Sequence, residues 1–238
     1  MHVLMLGSAP MAAAAAAWRR KPFDLVLAIN NAWRIRADWD VAIHPHDFPP
    51  ERQAIPGPGQ RIVTEGEFVP AQNVYGGFVY AGATMAFTAA YWALYALRPS
   101  VIAVYGCDMH YPAAGPTHFY GTGTPDPLRA DITLRSLEAK SARLKVLAAI
   151  QGCAVVNLSF GPSRLILPRM SRAGVVSARP GVWCADLAGE ALAREAELGY
   201  LVPSGRYWEE AGRFDPVAID QLDALWLQAA TLPLRQMA

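Results

Sequence analysis

Along the first two thirds of the chain, apolar residues come in short, nearly unbroken runs separated by polar turns. HVLML (2–6), DLVLAIN (24–30), DVAIH (40–44), VIAVYG (101–106) and AVVNLS (154–159) are too short for helices and too uniformly apolar for half-exposed strands. They read as strands buried on both faces, the habit of parallel sheets. RIVTE (61–65) is a further candidate strand, set off by the Pro/Gly-rich loop at 49–59. Between the strands the pattern turns helical. Pro10 suits a first helical turn that the alanines continue to about Arg20. Residues 82–97 are apolar all round, which predicts a buried helix. Residues 128–150 place Leu134, Leu137, Leu144, Leu147 and Ala148 near helical spacing.

Strands alternating with helices predict an α/β, Rossmann-like fold: a mainly parallel sheet with helices on both faces. Beyond residue 170 the pattern changes. SRAGVVSARPGVW (171–183) is loop-like, while 184–198 and 216–229 are amphipathic helices, the second opened by Asp215 as cap and Pro216 in the first turn. The expected organisation is therefore a Rossmann-like sheet domain over 1–170 and a small C-terminal helical extension over 171–238 packed on it. That extension would either cap the site or form the face of a homo-oligomer.

Composition narrows the class. Of 238 residues, 53% are hydrophobic and 17% charged, a globular balance. A net charge of +1, with no basic cluster larger than Trp18-Arg19-Arg20-Lys21, argues against a nucleic-acid partner. The three cysteines, Cys107, Cys153 and Cys184, are far apart and form no C-x-x-C pair, which fits a reducing, cytoplasmic setting rather than a disulfide framework or a zinc site. In VLMLGSAPMAAAAAA (3–17) the basic residues follow the apolar run, the reverse of a secretion signal. AGATMAFTAAYWALYAL (81–97) sits at the short limit for a membrane span and reads better as a helix on a sheet.

The polar chemistry collects where strands end, and in parallel sheets ligands bind beyond the carboxyl ends of the strands. Gly7-Ser8-Ala9-Pro10 joins a strand to a helix and is either an ordinary turn or a phosphate cradle. Asn30 and Asn31 close the second strand, either as an Asx-type turn or as hydrogen-bonding groups for a ribose or base. His44, His46 and Asp47 follow the third strand, with polar packing weighed above metal ligation. The richest segment is GCDMHYPAAGPTHFYGTGTPDPLR (106–129). There His110 and His118 are candidates for proton transfer, and Tyr111 and Tyr120 for donating to a leaving phosphate. Asp108 can orient a ligand hydroxyl or hold Mg²⁺, Gly121 and Gly123 suit a lid, and Asp126-Pro127 suits a helix start. Neither G-x-S-x-G nor H-E-x-x-H occurs, so triad hydrolysis and zincin chemistry are not suggested.

VLMLGSAP, FDLVLAINNAWRI, DVAIHP, AGATMAFTAAYWALY, VIAVYGCDMHY and THFYG, taken in order, resemble the bacterial sialyltransferases of glycosyltransferase family 42. They also resemble the related clan of flagellin-modifying glycosyltransferases and 6-hydroxymethyl-dihydropterin diphosphokinase-like proteins. The likeness covers about residues 2–167. It implies a Rossmann-like fold, a CMP-activated nonulosonic acid donor and inversion without a required cofactor or metal. It further implies that Asn30 and Asp108 bind the donor as the family's own Asn and Asp do, and that Ser8 and His44 stand where the family has donor-binding Asn residues. Gly7, Ala9, Pro10, Asn31 and Gly82 are expected beside them as donor-binding residues. The family's phosphate-binding Tyr falls on His110, with Tyr111 adjacent, and its catalytic His falls on Thr122, so the base is His118, His110 or absent.

The leading expectation is a glycosyltransferase moving a sugar from a nucleotide-activated donor to the hydroxyl of a sugar or glycan acceptor. Two alternatives stand beside it. One is a diphosphokinase on a pterin-like substrate, with Mg²⁺ on Asp108 and Asp47 or Asp126. The other is a non-catalytic nucleotide-binding protein. Trp208, Trp226 and Leu227 would support peripheral membrane contact unless they pack internally.

Overall fold

In a computed structural model the structure describes residues 1–111, 114–122 and 129–231. Six strands form one sheet: β1 (His2–Leu6), β2 (Leu25–Ile29), β3 (Val41–Ile43), β4 (Arg61–Val63), β5 (Val101–Tyr105) and β6 (Ala154–Asn157). All pairings are parallel, in the order β4-β3-β2-β1-β5-β6. The chain winds outward from β1 to β4, then crosses to the other side of β1 to lay down β5 and β6. The reversal lies between β1 and β5, where Leu6 is in register with Tyr105. Such a switch leaves a crevice at the carboxyl ends of the two strands.

Period-2 alternation in β1 divides the core. Val3 and Met5 face a layer of α-helices: α1 (Glu65–Val74), α2 (Phe78–Ala81), α3 (Met85–Ala96) and α4 (Leu137–Ile150) surround that side. Leu4 and Leu6 face the opposite side, which is covered by 3-10 segments at Pro10–Ala17, Asn30–Ile35 and Arg172–Ser177. The helix expected over 10–20 is thus a 3-10 helix that ends at Ala17. With three residues per turn, Ala12 and Ala15 stack on one face and both are fully buried. Arg36 closes its end by donating through Nη1 to the carbonyls of Ala15 and Trp18, both at 2.9 Å.

Other boundaries shift for local reasons. The helix expected from 82 starts at Met85, because Thr84 is its cap and accepts from the Phe87 amide. Gly82, at φ 87°, instead terminates α2. The helix expected over 128–150 is interrupted. Asp131 caps a 3-10 turn at Ile132–Leu134, and Ser136 then caps α4, accepting from the Ala139 amide at 3.1 Å. α1 and α2 were not anticipated. Pro70 lies inside α1, and its ten residues carry little apolar periodicity.

The C-terminal helices are α5 (Ala185–Leu198) and α6 (Pro216–Ala229), the latter capped by Asp215 accepting from the Val217 amide at 2.9 Å. They share a core with α2 and α4 built on Val79, Tyr80, Val146, Ile219 and Trp226. Trp226 is 1% exposed and donates Nε1 to Glu195, so it is internal packing and is not free to meet a lipid surface. Trp208, by contrast, is 61% exposed. Among the described residues no helix is long and apolar enough to cross a membrane.

Candidate functional site

The two glycines at the switch point allow the strand ends to touch. A Cβ on Gly7 would lie 2.3 Å from the Gly106 carbonyl oxygen, and Gly106 itself sits at φ 76°. The Gly7 amide donates to the Tyr105 carbonyl at 2.9 Å and the Ala9 amide to the Gly106 carbonyl at 3.0 Å. The turn after β1 is therefore fixed against the exit of β5. Ser8 then accepts, through its carbonyl, from the Phe119 amide at 2.9 Å. Residues 118–121 close on themselves through reciprocal backbone bonds between His118 and Gly121, at 3.0 and 3.1 Å. The segment after β5 so becomes a short strap over the turn after β1.

Beneath the strap is a cleft of about 130 Å³. Gly7, Ser8 and Ala9 form its floor, with Gly106 and Cys107 beside them. Asn30 enters from the end of β2, and His110, Tyr111, His118 and Tyr120 form the strap side. His118 and Tyr120 stack with centroids 4.9 Å apart and planes inclined by 18°, and Tyr111 lies at 6.2 Å from His118. The His118 Nδ1 is 2.9 Å from the Thr117 hydroxyl, which fixes the ring's rotation. Burial pushes the His118 imidazole below its usual value of 6.5, so it is uncharged at neutral pH. The Cys107 thiol is pushed far up by burial and then by Asp108, so it is no nucleophile at neutral pH.

Asn30 has a left-handed backbone, φ 50°, and its Oδ1 is buried without a hydrogen-bond partner. A buried acceptor left open costs free energy unless a ligand satisfies it. The remaining wall was not anticipated from sequence: Thr84, Met85 and Ala86, the cap and first turn of the twelve-residue α3, also line the cleft. The first amides of an α-helix have no intrahelical acceptor and sit at the positive end of its dipole. The available signal was Ala83-Thr84 before an apolar helix, a cap that reads one turn later than the Gly82 start assumed above.

No family model, curated protein or solved structure matches the chain.

Several expected donor-binding residues lie outside this cleft's wall. Pro10 begins the 3-10 segment behind it. Asn31 is buried, and Gly82 packs between Phe87 and Lys140. His44 is buried with its ring on Phe48, its Nδ1 2.8 Å from the Pro45 carbonyl and its Nε2 without a hydrogen-bond partner. Asp108 is also buried. Its Oδ1 accepts from Asn157 Nδ2 at 2.9 Å and lies 3.9 Å from Arg169, which ties the exit of β5 to β6, while its Oδ2 is buried without a hydrogen-bond partner and the residue does not line the small cleft. Asp47 lines a different cleft, and Asp108 and Asp47 are therefore not a pair that fits one Mg²⁺ ion. Among the described residues no group of three or more His, Cys, Asp and Glu side chains is placed to hold a metal. Gly123, Asp126 and Pro127 lie outside the described residues.

That second cleft is larger, about 950 Å³, and shares Asn30 and Met85 with the first. One wall carries His46, Asp47 and Glu65 from the ends of β3 and β4; the other carries Arg206, Tyr207 and Trp208 from the C-terminal segment. Arg129 sits between them, donating to Asp131 and to the Tyr207 hydroxyl, both at 3.0 Å. The C-terminal extension thus forms part of the cavity, a role its amphipathic helices left open at the level of sequence.

Proposed function

We propose that the protein is a metal-independent glycosyltransferase using a nucleotide-activated sugar of the CMP-nonulosonate kind. The observation that carries this reading is the convergence, on one small cleft at the switch point, of the Ser8 turn, the α3 first turn, Asn30 and the His118–Tyr120 stack. These groups suit an anionic leaving group. Helix-terminal amides and tyrosine hydroxyls stabilise the charge that develops on a departing phosphate without any proton inventory of their own. Asn30 offers its open Oδ1 to a donor on the nucleotide, an amine or a ribose hydroxyl.

In this reading the phosphate sits against the first turn of α3 and the Ser8 turn. Tyr111, Tyr120 and His118 contact its oxygens, His118 and His110 being the imidazoles there able to exchange a proton. The sugar extends past Asn30 and Met85 toward the larger cleft, which receives the second substrate. Catalysis is then chiefly positioning plus charge stabilisation, which together suffice for large rate gains in a water-poor site.

The test is a thermal-shift panel of CMP, CDP, ATP and CMP-N-acetylneuraminate, followed by hydrolysis of the last in the absence of acceptor. Selective stabilisation by cytidine nucleotides, with hydrolysis lowered about 10²-fold or more in His118→Ala, supports the reading. Stabilisation by ATP alone, abolished by chelator, would transfer the assignment to phosphoryl transfer.

A further inference from the structure

His46 and Glu65 belong to neither the expected nor the observed small cleft, yet they form an ordered pair. Parallel pairing of β3 with β4, Ile43 opposite Val63, brings the two strand exits side by side. His46 follows β3 in a loop, and Glu65 is the first residue of α1 directly after β4. Glu65 Oε1 accepts twice from the same residue: from the His46 backbone amide at 2.7 Å and from His46 Nδ1 at 2.6 Å. The two bonds fix both the loop and the ring. Glu65 is itself held in the first turn of a ten-residue helix, where a carboxylate is favoured. With the carboxylate on Nδ1, the proton of the neutral imidazole resides there and the lone pair is on Nε2. The ring is 78% exposed, so that nitrogen is open to whatever occupies the larger cleft.

We propose that the larger cleft binds a polyhydroxylated acceptor and that His46, oriented by Glu65, is the base that deprotonates its attacking hydroxyl. The inference rests on the transferase reading above and deepens it. Direct displacement at a sugar carbon needs the nucleophile on the side opposite the leaving group. The leaving phosphate occupies the small cleft, and the shared wall at Asn30 and Met85 marks where the sugar crosses. The incoming hydroxyl therefore arrives from the larger cleft, where His46 stands and His118 does not. In the step, the acceptor's O–H proton passes to His46 Nε2 as its oxygen bonds the sugar carbon. The carbon–phosphate-oxygen bond breaks, and the nucleotide leaves with the electron pair. The carboxylate steadies the imidazolium that results, the division of labour of a His–carboxylate dyad. The far wall supplies the class of acceptor. Trp208 offers an exposed aromatic face and Arg206 and Glu209 a charged rim, a combination suited to sugar rings with many hydroxyls rather than to a flat apolar molecule.

The experiment measures transfer from CMP-N-acetylneuraminate to lactose by wild type, His46→Gln, Glu65→Gln and Glu65→Asp. His46→Gln is expected to lower kcat for transfer about 10²-fold or more, with donor KM and melting temperature unchanged. Glu65→Gln should lower kcat without raising either KM, and Glu65→Asp should retain more of the rate than Glu65→Gln. Wild-type kcat in both His46→Gln and Glu65→Gln overturns the assignment. A second readout needs no turnover: carbethoxylation by diethylpyrocarbonate at alkaline pH, followed peptide by peptide. His46 is expected to react faster than the exposed His110, and to lose that advantage in Glu65→Gln. Equal reactivity of the two histidines overturns the dyad. A wild type inactive on every donor, with His46 still selectively activated, instead removes the nucleotide-sugar reading and leaves the dyad standing.

Discussion

The amide of Phe119 donates to the carbonyl of Ser8 across 2.9 Å, so the strap bearing His118 and Tyr120 is tied to the turn after β1. Two segments more than a hundred residues apart in sequence thereby become one wall. The strap keeps its shape through the reciprocal His118–Gly121 bonds, and these need Gly121 at φ 133°, a region closed to other residues. Gly121→Ala meets no steric neighbour, so its cost is confined to backbone strain, about 1–3 kcal/mol spent locally. The expected result is a melting temperature lowered by a few degrees, with the fold retained, together with a weakened or lost thermal shift by CMP. Unchanged affinity for CMP in a folded Gly121→Ala protein would show that the strap is not part of the binding wall.

His118 gives a second handle. Its folded value is lowered because burial disfavours the charged ring, so the native state favours the neutral form. The sign follows: the contribution to stability is fully present above the unfolded value and is lost as pH falls through the lowered folded value. An NMR titration of the His118 ring should give a midpoint below 6.5. Added sulfate, a phosphate stand-in with a fixed charge over this range, favours the protonated ring and should move the midpoint upward. A midpoint indifferent to sulfate would place the anion elsewhere.

Much of this arrangement was legible in the chain. The short apolar runs located five strands because strands buried on both faces leave no alternation to confuse. The sixth, β4, lies at the sheet edge with Arg61 exposed, so RIVTE stood only as a candidate. The gathering of histidines and tyrosines past VIAVYG located the strap because a parallel sheet sends its functional loops to one edge. What escaped notice depends on pairings that no local pattern encodes. Glu65 read as a strand end, and its bond to His46 exists only because β3 and β4 exit together. Asp108 looked like a ligand group, and the sequence could not show that one of its carboxylate oxygens accepts from Asn157 of the neighbouring strand. Thr84 was hidden by a helix start read at Gly82, where the apolar run begins but the backbone does not.

The C-terminal extension is held by a buried ion pair. Arg143 Nε and Nη2 donate to the two oxygens of Glu195, each at 2.7 Å, while Nη1 donates to the Tyr91 hydroxyl at 2.9 Å. Arg143 and Glu195 are 1% and 6% exposed. Removing one partner strands a buried charge, so Glu195→Ala is expected to cost about 3–5 kcal/mol. Replacing both, as Arg143→Met with Glu195→Leu, should recover only part of that loss: the desolvation of the charges disappears with them, but the Tyr91 hydroxyl, the Tyr75 carbonyl and Trp226 Nε1 lose their partners. Urea unfolding followed by tryptophan fluorescence reads both, and Trp226, which donates to the same carboxylate at 2.8 Å, reports locally. A single transition in every variant is expected, since α5 and α6 share a core with α2 and α4; a separate early transition would show that residues 171–238 fold apart from the sheet.

Asp131 links that extension to the larger cleft and gives the acid limit of its wall. Burial by itself would raise the carboxyl, but hydrogen bonds from Thr133, Tyr207 and Arg129 outweigh it and hold the group below its usual 3.8. The Tyr207 hydroxyl donates to it at 2.8 Å and is itself pushed up to about 12, by burial first and then by the carboxylate. A depressed carboxyl stabilises the native state above its unfolded value and loses that contribution as pH falls through the folded one. Asp131→Asn is therefore expected to melt lower than wild type at neutral pH, with the gap closing below pH 3.8. Tyr207→Phe should narrow the gap in the same window, because it removes one of the bonds that keep the carboxylate ionised. The comparison is a series of melting curves from pH 7 downward, in which a gap independent of pH would mean that Asp131 acts through packing alone and not through its charge.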